Sequence, residues 1–264
     1  MKNEMALSAL NKHWVLKTSD DRQVQALCQH FELPEIVARV LVGRHIAFDH
    51  VADFLKPTLR KNLPDPFHLR DMDKAISRIV QAIENHESIM LLGDYDVDGA
   101  TSTSLMYTYL KDIGACVSFY IPDRMIDGYG PSVKAMETFA REKVNLVITL
   151  DCGTTAFESL SYAKALGLDV IVIDHHVAET KLPDAVAVVN PNRLDETSPL
   201  KHVAAVGLAF MVSVALNSHL KKCGFFDNKP APDLLSLLDL VALGTVCDVM
   251  PLQGLNRAFV AQGL

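Results

Sequence analysis

Three short apolar runs in this chain each stop at an aspartate. SIMLL (88–92) leads through Gly93 to Asp94, NLVITL (145–150) leads to Asp151, and DVIVI (169–173) leads to Asp174. Between them lie stretches of helical periodicity, such as Lys74 to His86, where Ile76, Ile79, Val80 and Ile83 share one face. Short β-rich runs alternating with amphipathic helices predict an α/β fold with a parallel sheet and helices on both faces. Ligands of such sheets bind beyond the carboxyl ends of the strands. The three aspartates are therefore expected along one sheet edge.

Further strands are predicted at CVSFYI (116–121) and VAVVN (186–190), and further helices at 100–110, 132–143, 155–166, 203–221 and 232–243. Residues 1–70 are expected to form a separate small helical segment that ends in a linker. EIVARVLVGR after Leu33-Pro34 predicts one helix there, and HIAFDHVADFLKP a second that stops at Pro57. KPTLRKNLPDPFHL, with its three prolines, reads as the linker, and the main domain then occupies 71–264.

Composition narrows the setting. A net charge of −7 excludes simple attraction to a polyanion as the overall character, although metal ions and a local basic patch can supply positive charge. The five cysteines form no C-x-x-C pair, which fits a reduced, cytoplasmic setting. The apolar run VAAVGLAFMVSVAL (203–216) is shorter than the roughly 20 residues of a membrane span, so a buried helix and no membrane association are expected.

The loop GDYDVDG (93–99) sets Asp94, Asp96 and Asp98 at alternate positions. It matches the opening of an EF-hand loop, yet the twelfth residue from Asp94 is Leu105 where a bidentate Glu is needed, and a strand precedes it. A solvated turn with helix capping is the bland alternative. Two divalent cations roughly 3.5–4 Å apart, which need several carboxylates and serve phosphoryl hydrolysis, fit the pattern better. Oxygen ligands suit Mg²⁺ or Mn²⁺, and an added imidazole favours Mn²⁺. Gly99 would let the backbone approach a phosphate.

Asp174-His175-His176 supplies two adjacent imidazoles that must point in different directions. One can meet metal and the other substrate, with Asp174 placed to orient a histidine from behind. Asp151, lying between the other groups, suits a bridging carboxylate. On spacing alone Asp248 carries little weight. Arg124, ahead of the turn Asp127-Gly128-Tyr129-Gly130, could contact phosphate or pair with Asp127. Cys152 and Cys247 are soft-ligand neighbours of these groups rather than ligands.

GDYDVDGATST, PDRMIDGYG, LVITLDCGT, VIVIDHH, VVNPN, VAAVGLAF and LLDLVALGTVCDVMPL, in this order, resemble the DHH phosphoesterase superfamily and, within it, the RecJ family of bacterial single-stranded-DNA exonucleases. The resemblance covers about residues 45–264. It implies that Asp96 and Asp151, with Asp94 beside them, hold a first metal, while Asp98, Asp151, His175 and Asp248 hold a second. It implies that His176 faces the scissile phosphate, and that Asp98, Asp151 and His176 carry catalysis with Mn²⁺ or Mg²⁺. The implied reaction releases mononucleotides from the 5′ end of single-stranded DNA, in DNA repair and recombination. Single-strand-binding protein or a helicase are the implied protein partners of a monomer. A small-nucleotide phosphatase or pyrophosphatase, or a non-catalytic scaffold, are the alternatives.

Two positions depart from the family pattern. Ala205 stands where Gly is usual and Cys152 where Asn is common. Cys152 is expected to make the site sensitive to oxidation. Family members also continue into a DHH-associated domain and an OB-fold. The chain ends at Leu264, so the expectation is a fragment, a truncated product or a chain that needs a partner.

Overall fold

The structure, a computed structural model, describes residues 8–13, 20–125 and 128–264. They divide into two compact units, Met1–Pro57 and Thr58–Leu264. In the first, α1 (Asp21–Phe31) is capped by Asp20, whose Oδ1 accepts the Arg22 amide at 2.9 Å. Its buried Val24 and Leu27 share a core with Ala38 and Leu41 of α2 (Glu35–Gly43) and Val51 of α3 (Val51–Leu55).

The second unit is built on a five-stranded, all-parallel sheet of order β2-β1-β3-β4-β5. The strands are β1 (Ile89–Gly93), β2 (Val117–Tyr120), β3 (Leu146–Leu150), β4 (Asp169–Ile173) and β5 (Ala187–Val189). All five fall where the sequence predicts them. Side chains alternate between faces. Ile89, Leu91, Leu146, Ile148, Leu150, Ile171, Ile173 and Val189 join one core. That core includes α5 (Met72–Glu84), α6 (Val97–Asp112) and α9 (Ala205–Lys222). Met90, Leu92, Val147, Val170, Val172 and Val188 face the other core, with α7 (Val133–Arg141) and α8 (Phe157–Ala165). From Ala205 on, the 203–216 run lies in α9, nearly all of it buried, and among the described residues no helix is long and apolar enough to cross a membrane.

The stretch expected as a linker is structured. It holds α4 (Leu59–Asn62) and a helical turn at Pro66–His68. Leu59 and Leu69, which precede the expected boundary at 71, belong to the core of the second unit. The Leu59 amide donates to Gln262 Oε1 of α11 (Gly254–Gly263) at 2.7 Å, a helix not anticipated from the sequence. Before it comes α10 (Leu238–Cys247).

β5 is an edge strand, and its outward peptide groups are sealed rather than left open. Asp71 Oδ2 accepts the Val188 amide at 3.3 Å, and Arg193 Nη1 donates to the Val188 carbonyl at 2.8 Å. The two side chains pair with each other at 2.6 Å, and Arg193 also grips Asp195. Burial pushes the Asp71 carboxyl up, but hydrogen bonds from Lys74, Arg193 and the Val188 amide outweigh it and hold the group below its ordinary value. Folded Asp71 thus binds its proton less readily than the unfolded chain does. Its contribution is complete above about pH 4 and falls away as the pH drops through the folded value. We expect Arg193→Ala to cost about 3 kcal/mol in chemical denaturation at pH 7, because a partly buried carboxylate loses its partner. The deficit should shrink in the same measurement repeated at acid pH.

Candidate functional site

The strand ends are in register. Gly93 lies opposite Leu150, Leu150 opposite Ile173, and Ile173 opposite Val189. The ladder runs one residue further: the Asp94, Asp151 and Asp174 amides donate to the carbonyls of Leu150, Ile173 and Val189 at 3.1, 3.0 and 3.2 Å. Asp94, Asp151, Asp174 and Asn190 therefore stand side by side along the carboxyl edge.

α6 begins earlier than its sequence periodicity suggests. Asp96 is its N-cap, with Oδ1 accepting the Gly99 amide at 2.9 Å, so Asp98 sits in the first helical turn rather than in a loop. Gly99 is buried, and a Cβ there would lie 2.4 Å from the Asp94 carbonyl oxygen. Glycine is demanded here by close packing of α6 on the acidic loop, and its amide is already spent. The expected role in approaching phosphate gains no support from this arrangement.

α9 aims its N-terminus at the same place. The Ala205 and Val206 amides donate to Asp98 Oδ2 and Oδ1 at 2.7 and 2.9 Å. Free amides at a helix start favour negative charge. α10 ends on Asp248, and Gly244 lets it approach: a Cβ at 244 would lie 2.4 Å from Thr101 Oγ1 and 3.1 Å from Asp98 Oδ1.

The side chain of His175 enters among three of the carboxylates. Its Nε2 lies 3.2 Å from Asp151 Oδ1, 3.6 Å from Asp248 Oδ2 and 3.7 Å from Asp98 Oδ2. His176 turns the other way and is 50% exposed, with Nδ1 2.7 Å from Asp174 Oδ1. The same Asp174 oxygen accepts the His175 and His176 amides, and its Oδ2 accepts the Thr154 amide. Burial alone would raise Asp174; the hydrogen bonds from His176 and Thr154 prevail and hold it at about 2. Its hydrogen bond, opposed by burial, raises the His176 imidazole above its ordinary value.

The remaining carboxylates behave oppositely. Burial raises Asp94, Asp98, Asp151 and Asp248 above the ordinary range, and repulsion from Asp98 and Asp96 adds to it at Asp151. Asp94 Oδ1, Asp151 Oδ1 and Asp248 Oδ2 are buried without a hydrogen-bond partner. Two groups of three, Asp94 with Asp96 and Asp151, and Asp98 with His175 and Asp248, each offer atoms within 4.8 Å of one another; a third joins Asp151 to both histidines. Orphaned buried oxygens in a crowd of carboxylates and one imidazole are the donor set of a hard divalent cation.

Residues 88–245 match the model of the DHH family, N-terminal domain. The chain belongs to the DHH family. It is 39% identical over 256 residues to the single-stranded-DNA-specific exonuclease RecJ of Bacillus subtilis, covering 97% of this chain and 31% of that protein. To the Escherichia coli protein of the same name it is 37% identical, covering 88% of this chain and 40% of the relative. The structure of Thermus thermophilus RecJ in complex with Mn²⁺ superposes with a TM-score of 0.73 at 29% identity, over 94% of this chain and 34% of the other.

Aromatic groups that the sequence reading passed over surround this DHH site. Tyr129 donates from Oη to the Asp151 carbonyl at 3.2 Å and meets His176 edge-on at 6.1 Å. Tyr95 meets Tyr129 edge-on at 6.4 Å, and the Arg124 guanidinium lies 5.2 Å from the Tyr95 ring. Only the D-G-Y-G turn hinted at Tyr129. The expected alternative of an Arg124–Asp127 pair lies outside the described residues, since Asp127 is not among them.

Cys152 overturns one expectation. It is fully buried, its Sγ points at the Leu150 and Leu92 carbonyls, and burial with the nearby carboxylates of Asp174 and Asp151 pushes its thiol well up. Peroxide needs an accessible thiolate. Peptide mass spectrometry after mild peroxide should find Cys116, Cys223 and Cys247 modified and Cys152 intact.

The turn after Asp248 carries strain. Val249 has φ 58° and is 86% exposed. Its amide reaches the Val246 carbonyl and that of Met250 reaches the Thr245 carbonyl, the pairing that ends a helix on a left-handed residue. A β-branched residue there costs roughly 1 kcal/mol. We expect Val249→Gly to recover most of it, read as a rise in Tm of about 2–4 °C.

Proposed function

We propose that this chain is the catalytic part of a RecJ-type nuclease, which hydrolyses phosphodiesters from the 5′ end of single-stranded DNA to mononucleotides. The observation that carries the reading is the set of buried, unpartnered oxygens, on Asp151 and Asp248 beside His175 and on Asp94 grouped with Asp96 and Asp151. Asp94, Asp96 and Asp151 would hold one divalent cation, Mn²⁺ or Mg²⁺, and Asp98, Asp151, His175 and Asp248 a second, with Asp151 shared. The relatives named above as single-stranded-DNA-specific exonucleases, and the Mn²⁺-bound RecJ structure, support this choice of substrate and ion.

Cations held by these residues would supply a nucleophilic water at neutral pH and offset the charge on phosphate. The chain supplies the rest. Asp174 holds Nδ1 of His176, which fixes the ring and favours its protonated form. The half-exposed ring can then meet a phosphate oxygen through Nε2 and give up a proton to the leaving oxygen. Asp98, gripped by the α9 amides, keeps its place while charge accumulates nearby. Arg124 supplies a cation for a neighbouring phosphate. The faces of Tyr95 and Tyr129 offer stacking to unpaired bases, which is tolerant of sequence.

With Mn²⁺ and 5′-labelled single-stranded DNA, the purified chain should release labelled mononucleotide. Asp151→Ala should abolish release and His176→Ala should slow it by about 10²–10⁴-fold. Turnover confined to dinucleotides would favour the alternative, a small-nucleotide phosphatase or pyrophosphatase. Intact Mn²⁺ binding without any turnover would replace it with a non-catalytic scaffold.

A further inference from the structure

Asn190 and Asn192, which follow β5, take no part in the chemistry above, yet their side chains end on the histidine pair. Asn192 Nδ2 donates to the His175 carbonyl at 2.5 Å and also reaches the Lys201 carbonyl at 3.2 Å. Asn190 is fully buried; its Nδ2 donates to the His176 carbonyl at 2.9 Å and to Thr154 Oγ1 at 2.8 Å. Its Oδ1 accepts the Asn192 amide at 2.7 Å, which ties the two asparagines to each other.

The amides of the same two histidines are held by Asp174 Oδ1 at 2.8 and 3.1 Å. Both the N–H and the C=O of His175 and of His176 are therefore fixed by a buried or half-buried side chain. No regular secondary structure would do this, because the chain has already left β4. A freely rotating peptide here would swing the His175 ring by ångströms, whereas Nε2 must stay within 3.2–3.7 Å of three carboxylates.

We propose that Asn190 and Asn192 are positioning residues that set the two peptide planes, so that His175 enters the carboxylate cluster while His176 turns outward. Asn192 serves His175 and Asn190 serves His176, so each half of the pair has its own clamp. The proposal rests on the two-cation reading, and its test separates the two.

Mn²⁺ binding to the metal-free chain, followed by electron paramagnetic resonance, should show two steps in the wild type. Asn192→Ala, at a partly exposed position, should weaken one step by about 10–100-fold and leave the other unchanged. Asn192→Leu keeps the bulk without the donor and should show the same split, which assigns the loss to the hydrogen bond. Unchanged binding in both variants would overturn the positioning role. A uniform loss of both steps together with a lowered Tm would overturn it too, as plain loosening of the fold. Absence of Mn²⁺ binding in the wild type would instead remove the two-cation reading itself.

Discussion

The hydrogen-bond ladder that continues one residue past the strands is the constraint on which the site depends. It places Asp94, Asp151, Asp174 and Asn190 on adjacent strands, about 4.8 Å apart by sheet geometry, with main-chain bonds between successive members. A slip of one residue would turn each side chain to the opposite face. The alternating cores forbid such a slip: Leu150, Ile173 and Val189 would leave one apolar layer and enter the other. The apolar pattern thus fixes where the charges stand.

Crowded carboxylates need opposing groups, and the fold supplies only some of them. Asp98 has the first amides of α9, and Asp174 has four donors around it. Those donors hold Asp174 far below Asp94, Asp151 and Asp248, which burial drives upward. The edge therefore carries two kinds of aspartate. One kind is satisfied by protein and organises the turn. The other, Asp94, Asp151 and Asp248, is left with open oxygens, which a cation held also by Asp96 or Asp98 would complete.

Much of this was legible in the sequence because strands announce themselves by short apolar runs, and a strand end in a parallel sheet has only one place to go. Asp94, Asp96, Asp151, His175 and His176 stand out in the sequence itself. Asp248 could not be read from spacing; it follows a helix, and only the resemblance singled it out. What stayed hidden has a common physical character. The Ala205 and Val206 amides, the sealing of Val188 by Asp71 and Arg193, and the carbonyl contacts of Asn190 and Asn192 all involve the main chain. Main-chain groups are present at every residue, so no residue type marks where they are used. The start of α6 escapes the sequence for a related reason: polar Asp96 and Asp98 mask the first turn that Asp96 itself caps.

The same reasoning explains why two departures from the family pattern are compatible with an intact site. At 205 the contribution is the N–H that Asp98 Oδ2 accepts, and alanine provides it as well as glycine does. At 152 the contribution is the carbonyl that accepts Thr149 Oγ1 at 2.9 Å, while the side chain fills a buried space beside β1. Cysteine is small enough to fill it, and its protonated thiol adds no charge to an edge that already carries too many. Positions whose work is done by the main chain tolerate a change of side chain, provided that the new one fits. Asp151 is the contrary case. It holds a left-handed φ of 63°, its carbonyl is tied to Tyr129, and its carboxylate groups with Asp94 and Asp96 on one side and with His175 and His176 on the other. Backbone and side chain are both committed there, which leaves that position little freedom.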